Sequence, residues 1–209
     1  MKNLIILFLV SLTLLSCKKE RAFHITATNV ATGERIPNLH YYVVEASAGS
    51  FEEKTKTIRE GYLDANGEAK FNMKIKNKKH VIRVVEPENN CYSENISLTF
   101  GSKEDFKADF KFAPCGYIKI KINNVNCEGP SDDFKLYNTF NQVDFIQSLA
   151  TTPVRFGTGC YVYAATDFSS IPMGKRMYKW EVTRSGVMNV FYDTIMINEG
   201  EYRVYEINY

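Results

Sequence analysis

The chain has 209 residues, of which 44% are hydrophobic, and it carries 26 basic and 24 acidic residues. This length suits one large β domain or two small ones, and the 14 Phe and 13 Tyr can build a core. Nucleic-acid-binding domains usually need a strong basic excess, so the net charge of +2 disfavours nucleic acid as a partner. The 3 His lie far apart and no two cysteines have C-x-x-C spacing, so the sequence predicts no metal site and no cofactor.

The first seventeen residues have the pattern of a secretory signal. Lys2 precedes an apolar run, residues 4–15, which is too short to span about 30 Å of hydrocarbon as an ordinary helix. The run closes with Leu14-Leu15-Ser16-Cys17, which resembles the lipobox of bacterial lipoproteins. The resemblance implies that residues 1–16 are removed and that Cys17 becomes a lipidated first residue, with palmitate among its fatty acids.

Residues 17–22 are predicted to be the lipidated cysteine and a charged tether. Lys18 rather than Asp follows the cysteine, which by the same resemblance implies sorting to the outer membrane of a Gram-negative cell. The lipid would then anchor the protein to that membrane. The sequence leaves open whether the folded part faces the periplasm or the cell surface.

Short segments of alternating apolar and polar residues follow the tether. In residues 117–123, isoleucines alternate with polar residues, as in a strand that is buried on one face. We therefore expect an all-β protein with two antiparallel β-sandwich domains in tandem. The predicted strands are residues 23–29, 40–46, 69–75, 81–86, 93–100, 106–112, 117–123, 134–137, 160–166, 177–184, 190–197 and 202–208.

A domain boundary is predicted at Ala113-Pro114-Cys115-Gly116, because Pro and Gly interrupt the alternation and a new alternating run begins at Tyr117. The predicted domains are residues 23–113 and 114–209.

The first of these domains contains four segments of a recognisable pattern: Ile25-Thr26-Ala27, Gly33-Glu34-Arg35-Ile36-Pro37-Asn38, Asp64-Ala65-Asn66-Gly67-Glu68-Ala69-Lys70-Phe71 and His80-Val81-Ile82-Arg83-Val84. With these segments, about residues 23–112 resemble the carboxypeptidase-regulatory-like, transthyretin-like family, whose fold gives the expectation of Ig-like, transthyretin-like sandwiches. The resemblance implies a seven-stranded Ig-like sandwich that serves as an accessory or binding module and has no catalytic residues. The sequence departs from the family at His80, where an aromatic residue is usual, and in a long polar loop at residues 47–61.

Four cysteines remain once Cys17 is assigned to the lipid, and they allow three pairings. Export favours oxidation, although four reduced, buried thiols are the alternative. If residues 93–100 and 106–112 form a hairpin with Phe100 opposite Phe106, the same register places Cys91 opposite Cys115 at about 4.5–5.5 Å. The predicted disulfides are therefore Cys91–Cys115 and Cys127–Cys160.

Two acidic clusters are candidate sites with simpler alternatives. Asp64, Asn66 and Glu68 present oxygens two residues apart, as in a calcium loop, but a β-turn explains them as well. Asp132 and Asp133 form a carboxylate pair, and a solvated loop is the alternative. No serine lies in a G-x-S-x-G motif, so no catalytic residue is predicted.

The strongest candidate binding surface is aromatic. Aromatic residues two apart share one face of a strand, where they can stack on sugars or contact protein partners. The alternative is that this face is core, since aromatic residues are common in strands. The candidate residues are Tyr161, Tyr163, Phe168, Tyr178 and Trp180.

These patterns predict a non-enzymatic binding or scaffolding protein of the cell envelope, with the membrane and a protein or glycan as partners. Two alternatives stay open: an accessory subunit of an outer-membrane transport system, and an envelope hydrolase with an unrecognised site. A hydrolase needs a pocket that gathers acids, or a histidine beside a nucleophile, whereas a binding module needs an exposed aromatic or apolar patch.

Overall fold

The structure, a computed structural model, describes residues 20–47, 54–75, 79–101, 105–138 and 151–209. The predicted signal and Cys17 lie outside the described residues. The described residues form strands and no helix, which confirms the all-β fold class, and within them no helix could cross a membrane. The strands are β1 (Glu20–Asn29), β2 (His40–Ser47), β3 (Lys54–Tyr62), β4 (Glu68–Lys74), β5 (Lys79–Val84), β6 (Asn90–Glu94), β7 (Ser97–Phe100), β8 (Phe106–Asn123), β9 (Asp133–Asn138), β10 (Arg155–Thr158), β11 (Val162–Ala164), β12 (Ser169–Pro172), β13 (Gly174–Arg184), β14 (Val187–Ile197) and β15 (Tyr202–Asn208).

The chain divides into two compact units, and β8 contributes to both. The segments predicted as separate strands at residues 106–112 and 117–123 are therefore one continuous strand. The domain boundary between residues 113 and 114 stays a prediction. Unit 1 comprises the described residues within Met1–Thr28, Arg35–Val85 and Asn95–Phe110, and unit 2 comprises those within Asn29–Glu34, Glu86–Glu94 and Lys111–Tyr209.

Unit 1 is a sandwich whose core is rich in phenylalanine. In one layer β1 lies between β4 and β8, and the other layer has the order β3-β2-β5-β7. On β1, Phe23, Ile25 and Ala27 are alternate residues and all are buried. Phe23 stacks on Phe71 of β4 at 5.0 Å between ring centroids and meets the ring of Phe100 on β7 edge-on at 5.1 Å. Rings from both layers therefore fill the space between them.

Two sequence predictions about strands fail here. The polar loop expected at residues 47–61 is partly strand β3, the edge strand beside β2, where polar side chains can face solvent. The strand predicted at residues 93–100 is two strands, because Asn95 has a φ of 62° and interrupts it. Strand β7 then pairs with β5 rather than with β8, so the predicted hairpin does not form.

Unit 2 is a second sandwich. One sheet has the order β10-β9-β13-β14, and in the other the later part of β8 pairs with β6, β11, β12 and β15. The two sheets meet through stacked rings: Phe134 with Tyr209 at 4.5 Å and Tyr178 with Tyr205 at 4.6 Å. Burial raises the pKa of Tyr178 to about 12, so its phenol stays neutral in the core.

Both predicted cysteine pairs are bonded in unit 2. The Cα atoms of Cys91 and Cys115 are 4.9 Å apart, and those of Cys127 and Cys160 are 5.2 Å apart. The strand pairing that brings Cys91 close to Cys115 differs from the predicted hairpin. Strand β6 pairs with β8 so that Ser93 lies opposite Phe112, and a bulge at Cys91 shifts that residue toward Cys115.

Candidate functional site

Three aromatic side chains lie together on the outer face of unit 2. Strand β15 runs parallel to β8, with Tyr202 opposite Tyr117, and their rings stack at 4.4 Å between centroids with 9° between the planes. Phe168 meets Tyr202 edge-on at 5.2 Å. Tyr202 is 65% exposed and Phe168 is 37% exposed. We call Tyr117, Phe168 and Tyr202 the aromatic platform.

Strand alternation turns these rings outward. On β8, Ile118 and Ile122 are buried, so Tyr117 lies on the opposite face. On β15, Ile207 is buried and Tyr202 faces outward by the same rule. The isoleucine alternation that the sequence predicted for residues 117–123 is therefore present, and it explains which face the platform occupies.

Polar side chains continue the same face beyond the platform. Lys121 Nζ lies 3.0 Å from Glu206 Oε1, and Asn123 Nδ2 donates to Asn208 Oδ1 at 3.0 Å. Both are cross-strand pairs of β8 and β15, so they follow one another at about 6.6 Å along the strands. The face thus presents aromatic rings at one end and hydrogen-bonding groups at the other.

A disulfide-bonded segment holds the Tyr117 ring in place. The Tyr117 hydroxyl donates to Asn89 Oδ1 at 2.9 Å, and the Cys115 N–H donates to the Asn89 carbonyl at 2.8 Å. Asn89 is two residues before Cys91, which is bonded to Cys115. The cross-link therefore fixes the hydrogen-bond partner of the half-buried Tyr117 ring.

The turn between β14 and β15 packs closely against β8. A Cβ atom at Gly116 would lie 2.8 Å from the Asn198 carbonyl oxygen and would also clash with Ile197, so only glycine fits. The Tyr117 N–H donates to the Glu201 carbonyl at 2.7 Å. The Asn198 N–H, donating to Glu201 Oε2, holds the pKa of that carboxyl below its ordinary value. The turn thereby orients the strand that carries Tyr202.

The structure separates the five aromatic residues that the sequence proposed as one surface. Phe168 belongs to the platform. Tyr178 is 1% exposed and lies in the core, so it is not part of any surface. Tyr161 packs on the core residue Phe134 at 6.1 Å between ring centroids.

The other two lie in different places. The Arg155 guanidinium lies over the Tyr163 ring at 4.8 Å, and Tyr163 helps to line a cavity of about 160 Å³ in unit 2. Trp180 stacks on Phe191 of β14 at 5.6 Å. Tyr117 and Tyr202 were missed because a parallel pairing between distant strands brings them together, and alternation alone shows only which face each occupies.

The acidic candidates have structural roles in the described residues. Asp64 Oδ1 accepts hydrogen bonds from the backbone N–H groups of Asn66 at 2.8 Å and Glu68 at 3.0 Å, which is an Asx-type turn. Asp132 is buried rather than solvated, while Asp133 forms an ion pair with Lys135 at 2.8 Å. No group of three or more His, Cys, Asp or Glu in the described part of the chain is placed to hold a metal ion.

Hydrogen bonds and charge stabilise the ionised form of Asp132. The Glu128 N–H donates to its Oδ2 at 3.1 Å, and Asn124 Nδ2 donates to the same atom at 3.2 Å. The first of these bonds, aided by the nearby Arg184, lowers the pKa of Asp132 although burial opposes ionisation. The Asp132 carboxylate therefore stabilises the loop between β8 and β9 by hydrogen bonds to Asn124 and Glu128.

The three histidines are far from a catalytic arrangement. His24 Nε2 lies 2.8 Å from Glu68 Oε2, and the rings of His40 and Tyr62 are 5.0 Å apart. His80 is buried and stacks on Phe100 at 5.4 Å. These contacts with a carboxylate and with rings give no support to a Ser-His-Asp triad.

No protein-family model and no curated protein sequence matches the chain. Solved structures with some likeness include the Bacillus anthracis TIE protein, at 20% identity and a TM-score of 0.38, covering 91% of this chain and 34% of that one. The minor pilin GBS52 of Streptococcus agalactiae has 9% identity and a TM-score of 0.36, covering 90% of this chain and 94% of that one. A DUF3823 family protein from Parabacteroides merdae has 9% identity and a TM-score of 0.30, covering 86% of this chain and 98% of that one. The chain spans about a third of the TIE protein, and these likenesses assign neither a family nor a function.

Proposed function

We propose that the chain is a lipid-anchored protein of the outer membrane that binds saccharide chains and catalyses no reaction. The aromatic platform is the observation that carries the binding function, because the exposed rings of Phe168 and Tyr202 offer a surface for stacking. The Leu14-Leu15-Ser16-Cys17 pattern supports the anchor. The family resemblance of the first predicted domain, an accessory or binding module, agrees with the same function.

The polar pairs beside the platform favour a saccharide over a protein ligand. A sugar ring has one apolar face that stacks on aromatic rings and a rim of hydroxyls that need hydrogen-bond partners. Tyr202 would supply the stacking surface, while the Lys121–Glu206 and Asn123–Asn208 pairs would supply donors and acceptors. A glycan lying along β8 and β15 would contact both.

The same face argues against the alternative of a glycan hydrolase. Glycosidases that follow the usual mechanisms need two carboxyl groups across the scissile bond. Among the outward side chains of β15 and the described residues 117–123 of β8, Glu206 is the one carboxylate, and it is paired with Lys121. This arrangement can hold a sugar but lacks the second acid.

Saccharide binding can be tested with the full-length mature protein in detergent, first on an array of envelope polysaccharides and then by calorimetry on the ligands found. Tyr202→Ala should weaken binding about tenfold or more, the equivalent of about 1.4 kcal/mol. Tyr62→Ala is the matched control, because Tyr62 is 69% exposed but lies in unit 1. The saccharide proposal is wrong if no ligand binds or if both variants weaken binding equally.

The anchor has an independent test. Mass spectrometry should find Cys17 as the acylated N-terminus, and the protein should partition into the detergent phase, since several acyl chains give stable anchoring. Cys17→Ser should lose both the added mass and the partition. A variant with unchanged mass and partition would exclude lipidation at this residue and leave the saccharide test unaffected.

A further inference from the structure

Among the described strands, β14 is an edge strand with apolar side chains exposed along its length. It lies at the end of the sheet order β10-β9-β13-β14, and its pairing with β13 runs without a register shift from Arg184↔Val187 to Gly174↔Ile197. Its first eight residues are all exposed. Met188 is 59% exposed, Phe191 is 44% exposed and Tyr192 is 63% exposed.

The tight turn before β14 determines which backbone groups face the open edge. Ser185 and Gly186 have φ values of 48° and 80°, as in a two-residue type I′ hairpin turn, so Arg184 and Val187 form a hydrogen-bonded pair. Because such pairs alternate along an antiparallel ladder, odd-numbered residues of β14 bond to β13. The N–H and C=O groups at the open edge therefore belong to Met188, Val190, Tyr192, Thr194 and Met196.

The usual barriers to edge-to-edge pairing are missing from this strand. β14 contains no Pro, Lys or Arg, and Asp193 is its one charged residue. Asp193 Oδ1 accepts the Thr194 N–H at 2.7 Å, which covers one edge donor. The remaining edge groups, from Met188 to Tyr192, can pair with another strand.

Hydrogen-bond geometry limits how two copies of β14 could pair in antiparallel orientation. Even-numbered residues must lie opposite even-numbered residues, because only these present N–H and C=O groups at the edge. In each permitted register, one residue of β14 lies opposite the same residue of the second copy, and we call that residue the centre of the register. Successive permitted registers have centres one residue apart.

Two of these registers match side chains by type, one centred on Phe191 and one centred on Asn189. The Asn189 register places Val187 opposite Phe191 but overlaps only residues 187–191 of each strand, whereas the Phe191 register overlaps residues 187–195. With Phe191 opposite Phe191, Asn189 lies opposite Asp193 and Val187 lies opposite Ile195. With Tyr192 at the centre, Phe191 lies opposite Asp193; with Val190 at the centre, Phe191 lies opposite Asn189. A centre at Asp193 would place two carboxylates opposite each other, which is destabilising.

We propose that β14 joins two copies of this chain through antiparallel pairing centred on Phe191. The interface joins the β10-β9-β13-β14 sheets of two copies into one, and it uses no residue of the aromatic platform. It is therefore independent of the saccharide proposal. The edge hydrogen bonds supply affinity, and the longer overlap, together with the Asn189–Asp193 match, supplies the register.

The register can be tested by introducing one thiol at a time into the full-length mature protein, in detergent at several protein-to-detergent ratios. Opposed residues of a pair that lacks backbone hydrogen bonds have Cα atoms about 4.5 Å apart, within disulfide reach. Phe191→Cys should therefore form a covalent dimer under mild oxidation. Tyr192→Cys is the matched control: this site is more exposed, so random collision would link it at least as well. Linkage at 192 rather than at 191 would overturn the proposed register.

The association itself has a separate measurement. Sedimentation of the unmodified protein should give the mass of two chains, and Val190→Lys, which places a charge at the edge, should weaken association about tenfold or more. Trp180 fluorescence checks that this variant is folded. A wild-type protein that is monomeric at every concentration, or a dimer that Val190→Lys leaves unchanged, would overturn the proposal.

Discussion

The two units use their aromatic residues differently. In unit 1, Phe23, Phe71, Phe100 and Phe106 contact one another between the sheets. In unit 2, one set of rings fills the core and another, the aromatic platform, lies on the surface. Both disulfides of the described residues also lie in unit 2. Burial stabilises the first unit, while the second keeps large rings exposed and is cross-linked beside them.

This difference indicates a division of roles. An exposed ring contributes little to folding, because its apolar surface remains in water. A unit that presents such rings gains from cross-links that constrain its unfolded chain and hold the rings in place. The phenylalanine rings of unit 1 lie between its sheets, and unit 2 carries both surfaces for which we propose partners.

The largest expected effect is the loss of a core ring in unit 1. Phe23→Ala should destabilise the protein by about 3–5 kcal/mol, because it leaves a cavity between the layers. Hydrogen exchange followed by mass spectrometry should show the loss of protection in unit 1 peptides. Trp180, the only tryptophan, lies in unit 2, so its fluorescence should report a smaller change. An equal shift of both signals would mean that the units unfold together.

Removing one disulfide should have the next largest effect. Cys91 and Cys115 are 24 residues apart in sequence, and replacing both with Ser should cost about 3 kcal/mol in urea unfolding followed by Trp180 fluorescence. Because Asn89 is then less well held beside Tyr117, saccharide affinity should also fall. Replacing Cys127 and Cys160, 33 residues apart, is the matched control: it should cost similar stability and leave affinity unchanged. Equal losses of affinity would contradict the proposed coupling.

Alternation predicted the fold class well, because a half-buried strand imposes its period on the sequence. Strand β15 begins and ends at Tyr202 and Asn208 as predicted, and Tyr205 and Ile207 are buried while their neighbours are exposed. The polar edge strand β3 carries no such period, so the sequence predicts a loop there. Strand β14 shows the converse, since its apolar residues predicted a strand but gave no sign that both faces would be exposed.

The candidate site was harder to predict than the fold. The sequence indicated that aromatic residues near the carboxyl end were candidates, and Phe168 does lie on the platform. It could not indicate Tyr117 as the neighbour of Tyr202, because a parallel pairing has no local turn to mark it. The predicted cysteine pairs are present although the predicted hairpin is absent. A bulge at Cys91 brings this residue close to Cys115 in a register other than the expected one.

The smallest expected effect concerns a polar cluster in unit 1. Asp109 Oδ1 accepts hydrogen bonds from the hydroxyls of Thr26 and Thr28, each at 2.7 Å, and from the Arg35 guanidinium at 2.6 Å. Burial opposes ionisation of Asp109, but these bonds and the arginine charge outweigh it and lower the pKa of the carboxyl. The ionised form is therefore favoured in the folded state.

A lowered folded-state pKa contributes stability that is present above the unfolded value of about 3.9 and is lost as the pH falls through the folded value. Asp109→Asn should thus be less stable than the wild type at pH 6, and the difference should shrink toward pH 3. Since the Arg35 and Asp109 side chains are 46% and 40% exposed, solvent screening should keep the effect below about 1 kcal/mol. Hydrogen exchange of unit 1 peptides across this pH range measures it, with unit 2 peptides as the internal control. A difference that grows as the pH falls would show that the neutral carboxyl, rather than the carboxylate, is the form that holds this cluster.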